Sequence, residues 1–133
     1  MESNYRLVVG PVPKIGRGLF AAEHIPCGVD VFRVQMLVFS DADYYAVDGT
    51  VISDYAFNWD ATRSALMLGI GSFMNFSFTP NVVVVRHCSE GYCVVRSIEE
   101  IPKGHEIRFS YGPRNGPGCH EPVEWFDASR EVC

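Results

Sequence analysis

Apolar residues in this chain come in short runs separated by glycine and proline rather than in a long helical stripe. The runs are Tyr5 to Val9, Val29 to Phe39, Val82 to Arg86, Tyr92 to Ile98 and His105 to Tyr111. Each is rich in Val, Ile, Phe or Tyr and alternates imperfectly, the pattern of short strands. One stretch, residues 59–68, predicts a helix. Asp60 is placed to cap it, Ala61, Arg63, Ala65, Leu66 and Met67 follow, and Gly69 and Gly71 end it. The predicted fold class is mostly β.

Turn chemistry divides the runs. Ile25-Pro26-Cys27-Gly28 leads into Val29-Asp30-Val31, and Ile101-Pro102-Lys103-Gly104 leads into His105-Glu106-Ile107. In both, proline sets the second turn position and glycine admits a positive φ before a strand. Cys88-Ser89-Glu90-Gly91 predicts a hairpin between the valine run 82–85 and Cys93-Val94-Val95. No composition shift marks a linker. The segment after Gly112 is irregular before Trp125 and Phe126.

At 133 residues and 47% hydrophobic, the chain has the size and apolar content of one domain with its own core. No apolar run reaches the roughly 20 residues a membrane helix needs, so no membrane partner is expected. The opening Met1-Glu2-Ser3-Asn4-Tyr5-Arg6 has no basic segment leading into an apolar one, so no secretory signal is expected. Cysteines at 27, 88, 93, 119 and 133 are odd in number and form no C-x-x-C pair. They predict free thiols in a reducing, intracellular setting and no metal site. Eleven basic against sixteen acidic residues leave a net charge of −5. That balance disfavours direct nucleic-acid binding and suits a cationic peptide partner.

Two segments carry candidate chemistry. Gly16-Arg17-Gly18 lacks the further glycine and the helix of a dinucleotide or phosphate loop, and by itself reads as a turn. Asn75-Phe76-Ser77 followed by Pro80-Asn81 reads, unaided, as a pair of turns whose asparagines bond nearby backbone. The same three residues match a glycosylation acceptor, with no secretory context.

With Glu106-Ile107-Arg108-Phe109-Ser110-Tyr111-Gly112 added, these segments resemble, in order, the SET-domain protein-lysine methyltransferases in their compact viral or bacterial form. The resemblance spans about residues 5 to 112. It implies several small sheets around a pseudoknot-like crossing, with 1–133 one SET domain and 113–133 a short C-terminal tail over the active site. It implies S-adenosyl-L-methionine as cofactor, bound by Gly16, Arg17, Gly18, Asn75, Phe76 and Tyr111. It implies Tyr111 and Tyr55 as catalytic residues and a lysine channel of Tyr55, Phe109 and Trp125. Tyr44 and Tyr45 are further channel candidates on a variable insert. The implied substrate is a basic protein, a histone tail among the candidates, in the nucleus or cytoplasm. Some compact members are homodimers.

The chain departs from the family at Phe76, where most members carry histidine. A benzyl ring lacks histidine's side-chain hydrogen bonds, although the backbone at 76 can still face adenine. A SET-like domain that binds peptide without catalysis is therefore the alternative. Phe109 stands at the family's phenylalanine/tyrosine switch and implies a di- or trimethylated product. Tyr55 and Trp125 also have plain readings, as a half-buried core ring and as tail packing. Only Cys119 and Cys133 follow Tyr111, too few for the zinc module that often ends the family's domain.

Overall fold

The computed structural model describes residues 1–110. Tyr111, Trp125 and the 113–133 tail, on which part of the expected site falls, lie outside the described residues. In chain order the strands are β1 (Glu2–Ser3), β2 (Leu7–Val12), β3 (Gly16–Ala21), β4 (Asp30–Ser40), β5 (Phe57–Asn58), β6 (Arg63–Met67), β7 (Asn75–Phe76), β8 (Val82–His87), β9 (Tyr92–Ser97) and β10 (Glu106–Phe109). A seven-residue helix, α1 (Asp41–Val47), and two 3-10 turns, Val51–Tyr55 and Ile70–Phe73, complete them.

Among the described residues these strands form two sheets. One runs β5-β6-β4-β9-β8, with β1 also on β4; the other runs β2-β3-β10-β7. The expected mostly-β class is the one observed. All pairings are antiparallel except β7 with β10, where Asn75 lies beside Arg108 and Phe76 beside Phe109. That parallel pair lays the middle of the chain along its last described strand. Between the sheets lie Trp59, Phe32, Leu19, Ile107 and Phe109, all at most 1% exposed. Each such side chain contributes roughly 1.5–3 kcal/mol by leaving water.

The two Pro-x-x-Gly-like turns meet. Ile25 and Ile101, each just before its proline, exchange backbone hydrogen bonds of 2.9 Å in both directions. Gly28 and Gly104 then turn at φ 76° and 88°, as the turn chemistry requires. The hairpin at 88–91 also forms, with Gly91 at φ 76°.

The helix predicted over 59–68 is not there. Residues 63–67 are instead strand β6, paired with β4 from Met36↔Met67 to Ser40↔Arg63. Asp60 caps a hairpin turn rather than a helix: its Oδ1 accepts from Thr62 N at 3.0 Å and its Oδ2 from Arg63 Nε at 2.8 Å. Ala65 and Met67 fill the core as strand residues, so pairing with β4 outweighs their helix propensity. The helix that does form, α1, is capped by the Ser40 side chain accepting from Asp43 N, and it buries none of its residues.

The cysteines also depart in part from expectation. Cys93 is free and buried, and burial pushes its thiol up to about 12. Cys27 and Cys88 are not free thiols. Among the described residues no helix is long and apolar enough to cross a membrane.

Candidate active site

The β2–β3 hairpin carries the glycine pair. Gly16 turns at φ 121°, and a Cβ there would meet no protein atom within 4 Å. Gly18, paired with Gly10 across the hairpin, is constrained by space instead. A Cβ at Gly18 would lie 2.7 Å from Glu106 Oε2 and 3.0 Å from Asn75 Nδ2. The hairpin is thus pressed onto β10 and the Asn75 segment. Leu19 is fully buried behind it, while Phe20 is half-buried.

The two asparagines bond across the fold rather than within turns. Asn75 Nδ2 donates to the Arg17 carbonyl at 2.9 Å and to Glu106 Oε2 at 2.8 Å. Both amide hydrogens are thereby used, which fixes the direction of the side chain. Asn81, 5% exposed, donates from Nδ2 to the Glu106 carbonyl and accepts from Arg108 N on Oδ1, each at 2.8 Å. Its side chain acts as one more strand residue against β10. Ser77 N donates to the Phe109 carbonyl at 2.8 Å, and Asn81 N to the Arg108 carbonyl at 3.0 Å.

Glu106 was not singled out from the sequence, yet its carboxylate locks Asn75 while its carbonyl holds Asn81. A signal was present: Ile107 and Phe109 alternate with Glu106 and Arg108, putting a carboxylate on the half-buried face of a strand. A charge in that position needs a partner, and here the partner is an amide.

Beside this junction opens a cleft of about 550 Å³, lined in part by Gly16, Arg17, Tyr55, Phe73, Asn75 and Phe76. Its size lies within the roughly 300–1,000 Å³ of small-molecule sites. Five of the residues expected at the site therefore share one cleft. Tyr55, half-buried at the end of the Val51–Tyr55 turn, stands edge-on to Phe73, 6.1 Å between ring centroids. The Arg17 guanidinium lies over the Phe73 ring itself, 4.5 Å from its centroid. Phe76 is 40% exposed and meets Phe78 edge-on at 4.8 Å.

Other expected residues sit differently. Gly18 supports the cleft from behind. Phe109, 1% exposed, packs on Phe57 at 5.0 Å, and Phe57 lines the cleft, so Phe109 lies one ring behind the wall. Tyr44 and Tyr45 pair with one another on α1 and do not line the cleft. Among the described residues no cluster of three or more His, Cys, Asp or Glu is arranged to hold a metal ion.

Three comparisons bear on this geometry. The family model for the SET domain matches residues 16–112. The histone-lysine N-methyltransferase, H3 lysine-37 specific, of Schizosaccharomyces pombe is 33% identical over 98 residues, 73% of this chain and 67% of that protein. The crystal structure of a Plasmodium falciparum protein assigned as a histone methyltransferase superposes with a TM-score of 0.63. It covers 84% of this chain and 95% of that one at 21% identity, a likeness of fold.

Proposed function

This chain belongs to the SET-domain family of protein-lysine methyltransferases, and on that premise we propose that its cleft binds S-adenosylmethionine and presents it to a lysine of a basic protein, a histone tail being the leading candidate. The observation that carries the reading is the meeting of the 16–18 hairpin, Asn75-Phe76 and Tyr55 around one cleft. The residues fit such a ligand. At Gly16 a Cβ would project into open space, so glycine keeps the backbone bare where a ligand approaches. Arg17 offers a guanidinium suited to a carboxylate.

When bound, the cofactor supplies a methyl group already activated by the sulfonium charge, so no covalent enzyme intermediate is needed. The chain's own residues align donor and acceptor and keep water out. Asn75 holds the Arg17 carbonyl in place, and the backbone at Phe76 would be left to receive the purine. Tyr55, which lines the cleft, would offer its hydroxyl to the lysine amine, within an aromatic wall that tolerates a methylated ammonium. Tyr111, outside the described residues, takes the principal catalytic role, orienting the amine and polarising the site. The channel role proposed for Trp125 likewise falls outside the described residues. Phe109 has no hydroxyl with which to hold a competing water, so the product is di- or trimethyl-lysine. A nuclear or cytoplasmic setting accompanies a histone substrate, and a homodimer is the assembly proposed from the compact family members.

Incubation with histones and labelled S-adenosylmethionine, followed by mass analysis of products over time, tests the reading. The native chain should transfer label and pass beyond monomethyl-lysine. Tyr111→Phe should lower the rate by about a hundredfold, the order lost when a reacting group is misplaced. Binding of S-adenosylmethionine without transfer would favour the non-catalytic peptide-binding alternative that Phe76 raises. Arrest at monomethyl-lysine would refute the role given to Phe109.

A further inference from the structure

We propose that Phe73 is a positioning residue that couples the cofactor end of the cleft to its substrate end; the inference rests on the reading above. Phe73 closes the Ile70–Phe73 turn, two positions before Asn75, and its ring lines the cleft. Two contacts define it. On one side the Arg17 guanidinium lies 4.5 Å from its centroid. On the other the Tyr55 ring stands edge-on at 6.1 Å and 84°.

Arg17 is consequently held at two points by a single short segment. Asn75 takes its backbone carbonyl at 2.9 Å, and Phe73 takes its guanidinium. Among the described residues no carboxylate lies within 4.0 Å of that guanidinium, and the aromatic face is what restrains it there. A cation resting on a ring face is oriented without being neutralised, and it keeps its charge available for a ligand anion. A carboxylate in the same place would have silenced it. An arginine on an exposed hairpin otherwise samples many rotamers, so the ring supplies pre-organisation.

The same ring sets the tilt of Tyr55. Edge-to-face geometry directs the partner's hydrogen-bearing edge at a π face, and an aliphatic replacement of similar volume loses that preference. Neither α1 nor the Val51–Tyr55 turn buries a residue, and the half-buried Tyr55 meets Phe73 ring to ring. Phe73 therefore joins two groups that arrive from distant parts of the chain and are assigned to opposite partners of the reaction.

The experiment is a double-mutant cycle on the full chain. Phe73→Leu, Phe73→Tyr, Arg17→Gln and the Phe73→Leu/Arg17→Gln pair are compared for the KM of S-adenosylmethionine, the KM of a histone peptide and kcat. Phe73→Leu should raise the cofactor KM about two- to fivefold, the range of an exposed cation–π contact. It should also lower kcat by roughly tenfold through the freed Tyr55. Phe73→Tyr should restore both. Added to Arg17→Gln, Phe73→Leu should raise the cofactor KM no further.

Melting temperatures and proton spectra accompany the cycle. Ring-current shifts of the Arg17 side-chain protons in the native chain should disappear in Phe73→Leu while the fold persists. Additive effects on the cofactor KM, or a native cofactor KM in a folded Phe73→Leu, would overturn the inference while leaving the proposed function intact. A native chain that binds no S-adenosylmethionine would overturn both, and a native chain that binds it without transfer would refute the Tyr55 half of the coupling.

Discussion

A methyl group added at Gly18 would sit 2.7 Å from Glu106 Oε2 and 2.8 Å from Val12 Cγ2. The carboxylate cannot simply swing aside, because Asn75 Nδ2 holds it at 2.8 Å. Gly18→Ala should therefore destabilise the fold by about 1–3 kcal/mol, the range of overpacking, and weaken S-adenosylmethionine binding in the same variant. Thermal melts with a cofactor titration check both. Gly16→Ala fails for another reason: space is open, but φ 121° is strained for any residue with a Cβ. The residue types at the site were legible in the chain, but their partners were not. Asn75 read alone is a turn residue, and its two acceptors lie 58 and 31 positions away.

The β5–β6 hairpin makes the case for elements. Arg86, 7% exposed, donates from Nη1 to the Asn58 carbonyl at 3.1 Å and the Trp59 carbonyl at 2.7 Å, tying β8 to this hairpin. At its turn, burial would by itself raise the Asp60 carboxyl. Its hydrogen bond to Arg63, the Thr62 amide and the charge of Arg63 pull it the other way, and the net result lies below its ordinary 3.8. A carboxyl lowered on folding adds stability above its unfolded value, and that stability is lost as pH falls through the folded value. The stability difference between the native chain and Asp60→Asn should thus be constant above about pH 5 and shrink below 3.8. Urea melts across that range measure it, and a difference independent of pH would show that the carboxylate contributes nothing. Composition favoured a helix over these residues, since Ala, Leu and Met are good helix formers. What decided otherwise was an unpaired stretch of β4, from Met36 to Ser40, needing a neighbour.

For the molecule as a whole, charge becomes the relevant quantity. The net −5 is not spread evenly: between Arg33 and Arg63 there is no Lys or Arg, while Asp41, Asp43, Asp48, Asp54 and Asp60 fall in that interval. Asp54 lines the cleft. A basic peptide approaching the cleft is attracted over a Debye length of about 10 Å at 0.1 M salt. The KM for a histone peptide should therefore rise steadily with ionic strength, several-fold between about 0.05 and 0.3 M. The KM for S-adenosylmethionine should move much less. Parallel kinetic series in sodium chloride check this, and equal slopes for the two substrates would contradict it.

Local chemistry alone settled the strand-rich class, the proline–glycine turns and the 88–91 hairpin, because each depends on residues a few positions apart. The family was also legible, since the motifs hold their spacing and order. Only tertiary structure decided that 63–67 is a strand, that Asn75 and Asn81 clamp β10, and that Glu106 holds both asparagines. The physical reason is common to all three: a buried amide, carboxylate or strand edge must be satisfied, and here the satisfying group comes from far along the chain.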